Sequence, residues 1–156
     1  MANTPPSHRP RKRFGQNFLT DEGVISRIAA AIAPSETDHI VEIGPGQGAL
    51  TESLVTAGSA VDVIELDRDL VPGLLAAYSI YKDFTLHSAD ALKFDFAALA
   101  TDSEQLRIVG NLPYNISTPL IFKLLENASL IRDMHFMLQL EVVERLAAQP
   151  GSKAWG

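Results

Sequence analysis

The sequence predicts an α/β protein built on a parallel, doubly wound sheet. Three observations carry that expectation. Short β-branched runs alternate with segments of helical period along most of the chain. The length, 156 residues, is that of about one domain. The first strand-like run also opens directly into a glycine turn, as ligand-binding βαβ units do.

Taken in order, residues 1–13 are rich in proline, arginine and polar residues and read as a flexible arm ahead of a domain spanning 14–156. Thr20-Asp21-Glu22 is a helix start, with Val24, Ile28 and Ile32 at a spacing of four before Pro34 stops the helix. Ile40-Val41-Glu42-Ile43 is the first strand. Leu50, Leu54 and Val55 mark a helix closed by Gly58. Val61, Val63 and Ile64 form the second strand, and Leu70, Leu74 and Leu75 the next helix. Strands are expected at 84–88, 107–110 and 134–139, and helices at 117–126 and 140–149. Right-handed crossovers then place a ligand crevice at the carboxyl ends of the strands.

Composition narrows the function classes. Hydrophobic residues make up 46% and charged residues 21%, a globular balance. No apolar run approaches the roughly 18 residues of a membrane span, and no apolar stretch follows the N-terminal charges as a secretory signal requires. The absence of cysteine excludes disulfides, thiolate metal sites and cysteine catalysis, and fits a cytoplasmic location. No metal site is expected. Charge is 13 basic against 19 acidic residues, or −6; setting aside Arg9, Arg11, Lys12 and Arg13 leaves 9 against 19, or −10. A basic arm on an acidic body can hold RNA phosphate locally, and the alternative is a solvated tail.

The chemistry-bearing residues fall at strand ends. Gly44-Pro45-Gly46-Gln47-Gly48 lets backbone approach a ligand closely and leaves N–H groups free at a helix start. Glu65 ends the second strand, where an acid can accept from both hydroxyls of a ribose; Asp67 is the second choice, expected to face solvent. Asp90, beside the small Ala91, can accept from an adenine amine or cap a helix. Gly110-Asn111-Leu112-Pro113-Tyr114 opens onto the same crevice and resembles the (Asn/Asp)-x-Pro-Tyr motif of methyltransferases that modify base amino groups. An adenine N6 amine shares its lone pair with the ring. The Asn111 side-chain oxygen and the Leu112 carbonyl can take its two hydrogens, Pro113 can fix the turn, and Tyr114 can stack on a flipped-out base. The alternative is a plain turn with Tyr114 in the core.

Together with Phe14-Gly-Gln-Asn-Phe-Leu19 and Val41-Glu-Ile-Gly-Pro-Gly-Gln-Gly48, the stretch Gly110-Asn-Leu-Pro-Tyr-Asn-Ile-Ser-Thr-Pro-Leu120 resembles the KsgA family of small-subunit ribosomal RNA adenine dimethyltransferases. The likeness covers residues 11–156. It implies a class I S-adenosylmethionine (SAM)-dependent, Rossmann-like methyltransferase fold. The implied reaction is transfer of methyl groups to N6 of two adjacent adenosines in the 3′-terminal hairpin of 16S rRNA, with a role in small-subunit biogenesis. By the same resemblance Gln16, Asn17 and Leu19 contact SAM, Gly44 and Gly46 surround its methionine part, Glu65 takes the ribose, Asp90 and Ala91 the adenine, and residues 111–114 the target amine. Glu42 is expected to accept from loop amides, since an acid in a β-branched run needs partners.

Leu140 and Trp155 stand where the family usually has Lys and Tyr. The family also continues beyond the last residue here with further strands, a Phe- and Pro-rich loop and a helical domain. The fifth strand is therefore expected to be a bare edge, inviting self-association, and the 156-residue chain is expected to bind SAM yet be inactive on RNA. Competing readings are a large-subunit rRNA adenine methyltransferase of the antibiotic-resistance type, a non-catalytic ribosome-assembly factor and a nicotinamide dehydrogenase. The Asn115-Ile-Ser-Thr-Pro-Leu continuation favours the small-subunit enzyme.

Overall fold

A computed structural model describes residues 19–153. The strands are β1 (His39–Ile43), β2 (Ala60–Glu65), β3 (Phe84–Ser88), β4 (Leu106–Asn111) and β5 (Ile131–Met137). They form one sheet in the order β3-β2-β1-β4-β5, with every neighbouring pair parallel. The helices are α1 (Glu22–Ile32), α2 (Ala49–Thr56), α3 (Val71–Tyr78), α4 (Ser117–Glu126) and α5 (Leu140–Ala147).

Alternation along the strands gives the sheet two apolar faces. Ile40, Val61, Val63 and Val109 pack with Ile32 of α1, Leu50 and Leu54 of α2, and Leu74 and Tyr78 of α3. Val41, Ile43, Ile64 and Ile108 face the other way, against Leu120 and Leu124 of α4 and Phe96. Two covered faces are what a parallel sheet requires, and they explain why the central strands read as near-continuous apolar runs.

Local chemistry sets the boundaries. Asp21 caps α1 by accepting from the Val24 amide at 3.1 Å. The helix ends at Ala33 in a left-handed conformation, because Pro34 disfavours a helical residue before it. Two expectations need correcting. β5 spans 131–137 rather than 134–139: Arg132 and Asp133 interrupt the apolar run yet lie in the strand, where Asp133 binds Arg107 of β4, and Gln139 leaves the strand to become the N-cap of α5. α5 stops at Ala147 instead of 149, since Ala148 is already extended two residues before Pro150. The crossover from β3 to β4 holds only a short 3-10 turn, Phe96–Leu99, capped by Asp95.

Candidate functional site

Chain order reverses between β1 and β4, whose neighbours are β2 on one side and β5 on the other. At such a switch point the loops leaving two adjacent strands diverge and open a crevice. Here it is a cavity of about 330 Å³ at the carboxyl ends of the strands.

The glycine turn forms one wall. Gly44, Gly46 and Gly48 all have positive φ, conformations that side-chain-bearing residues rarely adopt. Gly44 donates to the Ile64 carbonyl at 3.0 Å, and a Cβ on it would lie 3.3 Å from the Asn111 carbonyl oxygen. The absence of that carbon lets the glycine turn and the 111–114 loop sit side by side. Gly48 is held from outside: the Tyr78 hydroxyl donates to its carbonyl at 2.8 Å, and a Cβ there would strike the Tyr78 ring.

Two carboxylates lie under this turn. Glu65 ends β2, is 4% exposed and accepts from the Asp67 amide at 3.2 Å. Burial pushes its carboxyl up to about 7, against the hydrogen bonds of the Asp67, Leu66 and Gly46 amides. Burial likewise pushes Glu42 up to about 7, with the Glu65 charge adding to the rise. The expectation that Glu42 accepts from loop amides is corrected: its partner is the Thr51 hydroxyl of α2. Asp67 is also corrected. It is buried rather than facing solvent, and its side chain accepts from the Asp69 amide at 3.0 Å to close the turn leading to α3.

Asp90 and Ala91 line the cavity after β3. One Asp90 oxygen accepts from the Leu92 amide at 2.9 Å, so Asp90 closes a turn as well as facing the crevice, and no α-helix follows it. Asn111 is the last residue of β4. Leu112 is buried and donates to the Met137 carbonyl at 3.1 Å, while the Pro113 carbonyl accepts from the Ile116 amide at 3.2 Å. Tyr114 is 55% exposed and lines the cavity, so it is no core residue. The alternative of a buried Tyr114 is set aside.

Leu19, Gly44, Gly46, Glu65, Asp90, Ala91 and residues 111–114 thus share one cavity. Gln16, Asn17, Arg9, Arg11, Lys12, Arg13 and Trp155 lie outside the described residues. Sequence reasoning missed several lining groups. Leu66, 46% exposed beside Glu65, offers an apolar surface in the crevice; its signal was an apolar residue placed in a turn. Ile28 of α1 and the 137–139 segment also contribute, and nothing local distinguishes them from core. Among the described residues no cluster of His, Asp and Glu suits a metal ion, and no helix is long and apolar enough to cross a membrane.

A family model described as ribosomal RNA adenine dimethylase matches residues 7–156. The ribosomal RNA small subunit methyltransferase A of Chromohalobacter salexigens is 64% identical over 160 residues, which cover 100% of this chain and 57% of that protein. Its namesake in Pseudomonas aeruginosa is 64% identical over 149 residues, covering 96% and 56%. The chain therefore spans little more than half the length of these relatives. Among solved structures, a dimethyladenosine transferase from Plasmodium falciparum superposes with a TM-score of 0.77 at 29% identity, covering 90% of this chain and 50% of that one. The 23S rRNA methyltransferase ErmE superposes with a TM-score of 0.72 at 29% identity, covering 83% and 50%. The sheet and its helices are the class I methyltransferase fold. By a family match that spans nearly its whole length and an identity of 64% to a curated relative, the chain belongs to the ribosomal RNA adenine dimethylase family.

Proposed function

We propose that residues 14–156 are the SAM- and target-base-binding domain of an enzyme that dimethylates N6 of two adjacent adenosines in the 3′-terminal hairpin of 16S rRNA. The substrate is the small ribosomal subunit in the cytoplasm, and residues 1–13 form a basic arm on RNA phosphate. One observation carries this reading: a single cavity is lined by the glycine turn with Glu65 and Asp90, and also by the 111–114 loop. The first set suits a nucleoside cofactor and the second a base amine. Relatives named for the small subunit, at 64% identity, favour this substrate over the large subunit.

The residues present fit SAM. Glu65 is a buried acceptor for ribose hydroxyls, Asp90 and Ala91 leave a polar and a small neighbour for adenine, and the positive-φ glycines leave backbone open for the methionine part. When bound, SAM supplies a methyl group on a sulfonium, so transfer needs in-line positioning more than a strong base. Asn111 and the Leu112 carbonyl accept the two hydrogens of the target amine and hold its nitrogen toward the cofactor. Tyr114 offers its exposed ring as the stacking surface. Pro113 fixes the turn between them.

The test is SAM titration followed by tritium transfer to undermethylated small subunits, using the natural full-length protein. Asn111→Ala should slow single-turnover transfer about a hundredfold while leaving SAM affinity near wild type. Normal turnover in that variant removes the assignment, and tighter binding of NADH than of SAM removes the methyltransferase reading altogether. Replacing Arg9, Arg11, Lys12 and Arg13 by Gln should flatten the salt dependence of RNA binding. Among the described residues β5 is an edge of the sheet, and it is the surface through which two copies would pair. Sedimentation showing only monomer removes that pairing.

A further inference from the structure

Lys123 is half-buried in α4, the helix that follows directly from the 111–114 loop. It forms no ion pair among the described residues. Its ammonium instead donates to two main-chain carbonyls, that of Ala91 at 3.1 Å and that of Phe94, and stands 5.2 Å from the centre of the Phe96 ring. Both carbonyls belong to the irregular 89–95 loop, which presents Asp90 and Ala91 to the cavity. The hydrogen bonds within that loop are short-range, from Leu92, Lys93 and Phe94 back to Asp90 and Ala91. They shape the turn, and the Ala89 amide ties its start to the Glu65 carbonyl at 3.0 Å, but none of these bonds holds residues 91–94 to another element. The Lys123 ammonium does so. An apolar side chain would fill the same space, so the two carbonyl bonds are what the cation adds there. Burial lowers the ammonium pKa, while the charges of Asp90, Asp95 and Glu126 pull it back up.

We propose that Lys123 is a positioning residue for adenine recognition: held between the Ala91 and Phe94 carbonyls, it fixes the 89–95 loop so that Asp90 meets the amine of the cofactor's adenine. One helix then carries the target-amine loop at its start and the tether of the adenine loop in its second turn. This inference rests on the placement of Asp90 at the adenine end.

The experiment compares two probes by calorimetry on the natural full-length protein. They are S-adenosylhomocysteine and S-inosylhomocysteine, in which an oxygen replaces the amine. Wild type should prefer the adenosyl probe by at least about tenfold, since the oxygen would face the Asp90 carboxylate. Lys123→Met keeps the stem and removes the ammonium. It should bring the preference down to about threefold or less, chiefly by weakening the adenosyl probe, whereas Lys123→Arg should largely keep it. A purely structural lysine would lower the melting temperature and leave the ratio of the two affinities unchanged. An unchanged ratio in a folded Lys123→Met overturns the proposal while leaving the adenine reading of Asp90 intact. Absence of any preference in wild type overturns both. Should Lys123→Met lose its circular dichroism signature, Lys123→Leu, which likewise removes every donor, carries the same comparison with the same two outcomes.

Discussion

The two ends of the sheet treat buried charge in opposite ways. At the amino ends every buried acid has a cation or an imidazole against it. Arg107 donates to Asp38 at 2.8 Å and to Asp133 at 2.9 and 3.0 Å, and also binds the Ile32 carbonyl that ends α1. Asp62 lies between His39 at 2.6 Å and His87 at 2.7 Å. Burial alone would raise Asp38, Asp62 and Asp133, but these bonds outweigh it and hold all three below the usual carboxylate range. At the carboxyl ends Glu42 and Glu65 are as deeply buried, have no basic partner among the described residues, and are pushed up to about 7. The difference separates an ion-paired rim from the rim that lines the cavity. The acids of one rim are paired with basic side chains, whereas those of the other accept only from a hydroxyl and main-chain amides, as suits a ligand that brings its own positive charge and hydroxyl donors.

The strongest way to break that contrast is to remove a cation from the ion-paired rim. Arg107→Met should cost about 2–4 kcal/mol of folding stability, because buried Asp38 keeps only the exposed Arg132 at 3.3 Å and half-buried Asp133 keeps only His135 at 3.2 Å. Urea denaturation reads the loss. Cofactor affinity in the remaining folded protein should stay near wild type, since Arg107 lies at the far end of β4 from Asn111. A stability change under about 1 kcal/mol would mean that the network is ornamental.

The converse experiment acts on the other rim. Glu65→Ala should weaken SAM binding by about 2–4 kcal/mol, the loss of two hydrogen bonds to a charged acceptor. Calorimetry showing unchanged affinity would end the ribose assignment. The same group makes a pH prediction with a definite sign. Its folded pKa of about 7 lies above the ordinary 4.5, so the folded state holds the proton more tightly than the unfolded one. Stability of the ligand-free protein therefore falls as pH rises from about 4.5 through 7, and Glu65→Gln should flatten that fall. A cationic ligand favours the ionised carboxylates, so SAM affinity should rise roughly three- to tenfold between about pH 6 and 8. Calorimetry in buffers of different ionisation enthalpy should show protons released on binding near pH 6.5.

The residues that line the cavity were largely legible in the sequence because each sits at a strand end and has an unusual local requirement. Gly44 needs a positive φ, Glu65 is an acid closing an apolar run, and Asn111 with Pro113 forms a distinctive turn. The strand pattern was legible for the same reason, since apolar runs of β1, β2 and β4 follow directly from burial on both faces. What escaped was whatever depended on a distant partner. Arg132 and Asp133 read as loop because nothing local announced Arg107 on the neighbouring strand. Asp67 read as solvent-facing because an acid in a turn usually is. Lys123 reads as an ordinary exposed helix residue until the 89–95 loop is seen beneath it.

Tyr78 supplies the finest test, because it belongs to neither rim yet touches the one that lines the cavity. Thirty residues separate it from Gly48, and from sequence it is only an apolar position on a helix. Its ring packs in the core beside Phe84, at 5.7 Å between centroids, while its hydroxyl reaches the Gly48 carbonyl that also accepts from the Glu52 amide. Tyr78→Phe keeps the ring and removes the hydroxyl bond that ties the glycine turn to α3. Stability should change by about 0.5–1.5 kcal/mol, the usual worth of one such bond. If the bond serves the turn, SAM affinity should fall about two- to fivefold as well, with the maximal rate of methyl transfer unchanged. If it serves only the core, stability alone will move. Adding Glu65→Ala then separates the cases further: two residues acting on one bound ribose and one glycine turn should show non-additive losses in affinity, and independent ones should sum.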